Sequence, residues 1–384
     1  MSAQSNVTAG NYIINPKFDR TWVLGGAGLT LALPLLAYAA PELLPWFFWA
    51  WIVFFEGSHF WATISRTYLD RKFSFENRGV LLGSLIFFVL PALAIVHWQS
   101  TGSKLAIDLY GFGIFVWSLY HNARQHFGFF SIYSKKQNDS QAVKSDGKFW
   151  LYAAIVAPQF HFLMFQKGPA ALSFFPSREA LGTLAFGLDI ACWAISALAG
   201  WVLLRRWVST RASGVPMTWV YSAVCFVFYT VMFYAVAPRE PFYPSAQNGA
   251  QGLMLLAVMN SLFHNIQYHA IVWAYARKRY QESGRNEAAL GWAARINGSL
   301  GSYLLMSTLM GLGFAWIVWG LGDWPSITGT FEPRDMSSLS YVLFFGIIGH
   351  HFYLDQHIWR PSKQPELRSY LGMNDQAGLQ AAAG

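Results

Sequence analysis

Three stretches of this chain place two or more histidines within a few helical turns of one another. Residues 349–361 read Gly349-His350-His351-Phe352-Tyr353-Leu354-Asp355-Gln356-His357-Ile358-Trp359-Arg360-Pro361. The stretch 120–127 carries His121, Arg124 and His126, and 263–269 carries His264 and His269. A shorter echo, Glu56-Gly57-Ser58-His59, lies upstream. Neutral imidazole is a ligand for iron, zinc, copper and nickel, and helical spacing decides which imidazoles can share one ion. His351 and Asp355, four apart, share a face, and His350 and His357, seven apart, share another. Glu56 and His59 have the Glu-x-x-His spacing of di-iron helix bundles. The pairs 121/126 and 264/269 are five apart, about 140° on an ideal helix. Either one member of each pair meets the metal while the other faces a neighbouring helix, or a π-bulge realigns them.

The residues expected to hold metal are therefore His59, His121, His126, His264, His269, His350, His351 and His357. Asp355 or Glu56 is expected to complete the shell or to orient a ligand imidazole through its second nitrogen. Arg124, between two histidines, is placed to neutralise one of those carboxylates or to hold a substrate headgroup. His97 and His161 stand alone in their segments and read as packing or interfacial residues.

These side chains need a scaffold, and composition says which kind. The 384 residues are 54% hydrophobic, 18% aromatic and only 12% charged, about half the charge of a soluble domain. The expected fold is an all-α, polytopic integral membrane bundle forming a single transmembrane domain over 1–384. Apolar runs long enough to span fall near 22–40, 43–63, 79–98, 106–130, 149–166, 180–204, 217–238, 249–273, 298–321 and 338–359, which makes about ten transmembrane helices. If the N-terminus is inside, inner segments hold 21 lysines and arginines and outer loops hold 5. That asymmetry places both termini in the cytoplasm, with 1–20 a cytoplasmic N-terminal segment and 361–384 a cytoplasmic tail. The membrane expected is a bacterial-type inner one. The net charge of +8 is then topological rather than a sign of nucleic-acid binding. Cys192 and Cys225 both lie in apolar runs and support neither a disulfide framework nor a thiolate metal site.

On this topology the second, fourth, eighth and tenth helices run the same way and carry eight of the ten histidines near their inner ends. Ionisable groups at such depth are costly and usually functional. A site of imidazoles and carboxylates without thiolate suits non-haem iron, one or two ions, with zinc or copper possible. The patterns His350-x4-Asp355 before Arg360-Pro361, His121-Asn-Ala-Arg124-Gln-His126 and Glu56-Gly-Ser-His59 resemble motifs of the bacterial Brp/Blh-type β-carotene dioxygenases. The resemblance covers patches only: the family's Pro-His-Gly-x-x-Asp element is absent, and His264, His269 and His357 exceed its ligand pattern. It implies a histidine-ligated iron oxygenase. The expected function is a membrane-embedded oxygenase acting with O2 on a lipophilic substrate such as a carotenoid, lipid or polyene, its electron donor unidentified. The alternatives are a metal-ion or proton transporter built on the same histidines and a haem-binding membrane protein.

Overall fold

Each of the ten apolar runs forms a helix. The computed structural model describes residues 11–162, 182–239, 242, 249–282, 287–319, 337–361 and 363–373. The ends of three runs (163–166, 180–181 and 320–321), the first ten residues and the tail beyond 373 lie outside the described residues. The long helices are α1 (Pro16–Ala39), α2 (41–66), α3 (Arg78–Thr101), α4 (Leu105–Lys136), α5 (Gln141–Phe160), α6 (Thr183–Thr210), α7 (Met217–Val236), α8 (Gly249–Ala276), α9 (Leu300–Trp319) and α10 (Ser338–Ile358). A short α11 (Pro365–Tyr370) follows, and no strand occurs among the described residues. Local chemistry sets the ends: the side chains of Ser140 and Ser337 cap α5 and α10, and Gly102 closes α3 at φ 73°.

Among the described residues, five helices are long and apolar enough to cross a membrane: α1, α3, α6, α7 and the segment Leu300–Ile317 of α9. Their outer faces are apolar, with Leu35, Leu93, Trp201, Leu305 and Trp316 all exposed. That inverts the polar exterior of a soluble bundle and supports a membrane protein. The histidine-bearing α2, α4, α8 and α10 are not among the five, because imidazoles, carboxamides and hydroxyls replace aliphatic side chains along them.

The chain groups into two compact units, one of residues 1–39, 119–248 and 371–384, the other of 40–118 and 249–370. In the first, Tyr133 donates to Asp19 Oδ2 (2.8 Å), whose carboxylate also takes the backbone N–H groups of Ile13 and Ile14. Here His161 pairs with Asp189 at 2.6 Å.

In the second unit, α2 and α9 meet backbone to backbone. A Cβ on Gly311 would lie 1.8 Å from the Val53 carbonyl oxygen, and one on Gly57 would lie 2.6 Å from Gly311 Cα. Near the ends of α2, α8 and α10, the buried Arg66 guanidinium is sandwiched between Tyr275 (3.9 Å) and Trp359 (4.0 Å) and donates to the Ile358 carbonyl. Beyond it, buried Asp70 accepts from Arg279 (2.8 and 2.9 Å) and Tyr280 (2.9 Å). Glu366 of α11 bridges Arg279 and Lys72.

Gly311→Ala should destabilise the protein by about 3 kcal/mol or prevent folding, as overpacking against backbone does. Gly313→Ala, where a Cβ meets nothing within 4 Å, should be close to neutral in the same thermal-unfolding assay in detergent. At the docked α11, the Lys72 ammonium, then Arg279, hold the Glu366 carboxyl below its ordinary value, and Glu366 in turn raises Lys72. The lowered carboxyl contributes stability above its unfolded value near 4.5 and loses it as pH falls further. The raised Lys72 contributes below 10.5 and loses it as pH rises through its folded value. Both groups are nearly half exposed, so Glu366→Gln should cost about 1 kcal/mol or less at neutral pH. The gap to wild type should close in acid and in high salt; a gap undiminished at about pH 3, below the unfolded carboxyl value of 4.5, would contradict the assignment.

Candidate metal centre

The buried polar core of the second unit is built by three helices that repeat one spacing. On α2, His59 is followed four residues later by Thr63; on α8, His264 by Tyr268; on α10, His351 by Asp355. The imidazoles form one layer. The His59 ring lies 4.5 Å from that of His351 and 4.9 Å from that of His264. The residues one turn on form a second layer joined by hydrogen bonds. Tyr268 donates to Asp355 Oδ1 at 2.7 Å and Thr63 donates to the same oxygen at 2.8 Å. Because the two layers occur in the same order on all three helices, α2, α8 and α10 run parallel here.

Counting protons in the second layer fixes the imidazole of the first. Thr63 has one hydroxyl hydrogen, given to the Asp355 carboxylate, and its Oγ1 also lies 2.8 Å from His351 Nδ1. With Asp355 ionised, that oxygen accepts from an Nδ1–H, which gives His351 the tautomer with its lone pair on Nε2. His351 Nε2 and Asp355 Oδ2 then face each other at 3.7 Å, too far for a hydrogen bond. Two donors about 2.1 Å from a common ion stand this far apart at an angle of roughly 120°. His59, 2% exposed, brings a third donor: single ligand atoms of His59, His351 and Asp355 lie within 4.8 Å of one another. This buried histidine and aspartate group can hold a metal ion after shifts of a few tenths of an ångström. Two imidazoles and one carboxylate, with the outer nitrogen and oxygen anchored by a hydroxyl, fit such an ion in chemistry as well as in spacing.

The local structure of α2 turns His59 inward. Residues Ile52–Glu56 form a π-helical turn, which frees backbone carbonyls from the ordinary ladder. The Phe55 carbonyl accepts from His269 Nε2 (3.2 Å), and His269 Nδ1 takes the Tyr303 hydroxyl (3.0 Å). On α10, a Cβ on Gly349 would strike the Phe87 ring at 2.8 Å, so the bare backbone beside His350 lets α3 close on α10.

Three of the expected residues of this unit, His350, His357 and Glu56, make other contacts. His350, the neighbour of His351, points to the opposite side, its Nε2 2.9 Å from the Tyr68 hydroxyl and its ring stacked on Tyr68. His357 Nδ1 donates to the Tyr353 carbonyl at 2.8 Å. Glu56 accepts from Asn265 Nδ2 at 2.8 Å, joining α2 to α8. Three expected residues belong to the first unit. His126 holds Tyr221 (2.7 Å) and Tyr229 (2.9 Å) on its two nitrogens. His121 is buried, with Nε2 2.9 Å from Gln125 Nε2, and Arg124 is exposed. Thr63 and Tyr268 were not among the residues singled out from the sequence. Their signal was the repeated His-x3-polar spacing on three helices.

Comparison of the chain with family models, with curated proteins and with solved structures finds no match. The chemical reading therefore rests on the residues themselves.

The tautomer assignment is testable without any metal. Histidine ¹⁵N spectra of metal-free protein should show His351 protonated at Nδ1 and bare at Nε2. Thr63→Val, which removes the accepting oxygen, should shift that population toward Nε2–H. An unchanged spectrum would mean that Thr63 does not set the tautomer.

Proposed function

We propose that the protein is a membrane-embedded, histidine-ligated metal enzyme, most consistent with a non-haem iron oxygenase acting on a lipophilic substrate. The observation that carries this reading is the buried group of His59, His351 and Asp355. Two histidines and one carboxylate with no thiolate form the donor set that non-haem Fe(II) oxygenases use, leaving positions open to substrate and O2. Iron bound there supplies O2 activation. The protein's own residues hold and orient: Thr63 and Tyr268 fix the Asp355 carboxylate, Thr63 fixes the His351 ring, and Phe60, Tyr268 and Phe352 wall the site with aromatic surface. That lining suits a hydrophobic substrate entering from lipid, a carotenoid or other polyene among the candidates. The membrane form we propose has ten spans with both termini cytoplasmic. The parallel course of α2, α8 and α10 supports the topology given by the lysine and arginine asymmetry. The ligand role of His121 stays a proposal drawn from the sequence, as does the likeness to the carotene dioxygenases.

One observation favours a second reading. Tyr268, Asp355, Thr63 and His351 form a continuous hydrogen-bonded series, which also suits a proton pathway.

Elemental analysis with a visible spectrum separates the readings. Detergent-purified protein from iron-replete cells should carry one or two equivalents of iron and show no Soret band. His59→Ala, His351→Ala and Asp355→Ala should each lose at least about tenfold in metal affinity, and Thr63→Val between about 10- and 100-fold. His264→Ala tests the adjoining imidazole and is expected to lose most of the metal, whereas His126→Gln should keep it. Protein without stoichiometric metal would move the assignment to the proton pathway, and a Soret band to haem.

A further inference from the structure

Arg124 lies in the first unit on the exposed side of α4. Its guanidinium is 5.2 Å from the centroid of the Phe127 ring and near enough to the Tyr152 hydroxyl to act on it electrostatically. Lys148, from α5, reaches the same ring: its Nζ lies 5.3 Å from the Phe127 centroid and 6.0 Å from that of Tyr152. Both cations are exposed, and neither makes an ion pair with a carboxylate among the described residues. The acid nearest Lys148 in sequence, Asp146, is engaged by Arg206 at 3.0 Å and by the Trp150 indole at 3.0 Å.

Two like charges sharing one phenyl ring repel each other, and an anion between them would offset that repulsion. Both charges stand against the same ring, where a phosphate can draw on either through charge-assisted N–H···O contacts of about 2.7–2.9 Å. Space adjoins the charge. Gly128, one turn beyond Arg124 on the same face, is exposed, and a Cβ there would meet nothing within 4 Å. The position along the chain suits a membrane interface. Lys148 immediately precedes the fifth apolar run, and Arg124 lies about 10 Å of helical rise inside the end of the fourth. A snorkelling arginine covers most of that depth.

We infer that Arg124, Lys148, Phe127 and Tyr152 bind the phosphate headgroup of an anionic phospholipid, one acyl chain of which lies along the bare backbone at Gly128. The guanidinium offers a planar fork to the phosphate, the ammonium a point charge, and the Tyr152 hydroxyl a further donor. A zwitterionic headgroup brings its own cation to a site that already has two, so the site discriminates by charge. Nothing in this site depends on the metal centre.

The test uses the full chain in nanodiscs of mixed phosphatidylglycerol and phosphatidylcholine, with retained lipid counted by native mass spectrometry. Wild type should retain phosphatidylglycerol over phosphatidylcholine at least fivefold beyond the bulk ratio. The double variant Arg124→Gln/Lys148→Gln should fall to within twofold of the bulk ratio, and Arg124→Lys should retain more preference than Arg124→Gln. Gly128→Leu keeps both cations and fills open space, so it should fold and lose at least threefold in retention. A double variant that is monodisperse and still as selective as wild type overturns the site, and an unaffected Gly128→Leu overturns the acyl-chain placement. Displacement of the lipid by millimolar inorganic phosphate would make the occupant a soluble anion and overturn the lipid assignment.

Discussion

Thr63 carries a single hydroxyl hydrogen, and the arrangement of three helices depends on where it goes. Donated to Asp355, it leaves the hydroxyl oxygen to accept from His351, so one side chain of α2 fixes two side chains of α10. Tyr268 adds α8 through the same carboxylate oxygen. In a buried setting each of these bonds is worth more than at a surface, and losing one partner leaves a desolvated polar group behind. The register of α2, α8 and α10 is thereby tied to within one residue. A shift of any of them by one position would turn its hydroxyl or carboxylate out of the layer and its histidine with it.

The apolar packing serves that register. Hydrogen bonds of 2.7–2.8 Å between helices require backbones held at set distances, and the glycines provide them. Gly57 and Gly311 allow α2 and α9 to touch, and Gly349 seats the Phe87 ring against α10 beside the histidines. The π-helical turn before Gly57 then sets the direction of His59 while its displaced carbonyl is taken by His269. His269 thus supports the site from outside: it holds the turn that aims a different histidine.

Helical periodicity made much of this legible in the chain. The four-residue spacing of His351 and Asp355 marks them as sharing a face, and they do share the site. The runs of apolar residues mark the ten helices closely, since only long unbroken hydrophobic stretches leave that pattern. Other features depend on partners distant in sequence. His350 and His351 are equivalent to a one-dimensional reading, and only Tyr68, 282 residues away, draws His350 to the other side. Glu56 has the spacing of a metal ligand with His59, yet the carboxamide of Asn265 turns it toward α8. Thr63 and Tyr268 escaped notice because a hydroxyl in an apolar helix is common. It gains meaning only when three helices repeat it at the same distance from a histidine.

The histidines divide into two kinds, and the division bears on chemistry. His126, His269, His350 and His357 meet hydroxyls or carbonyls, the ordinary way for a neutral imidazole to be satisfied away from water. The rings of His59, His264 and His351 also gather against one another, His351 keeping the Thr63 hydroxyl on its Nδ1. Imidazoles gain little from each other directly, and protonating one would place a cation among neighbours that already resist charge in a low-dielectric core. A metal ion reverses the balance. It supplies the positive charge once, to all of them, and the ionised Asp355 beside His351 offsets part of it. Tyr268 and Thr63 bond one carboxylate oxygen and leave the other facing His351 Nε2, so the anion is already oriented where such a cation would sit. A cation at this position would offset the charge of the buried carboxylate, which hydroxyl dipoles stabilise less than an opposite charge does. That difference in charge balance, more than the number of histidines, is the physical argument for a metal at this position.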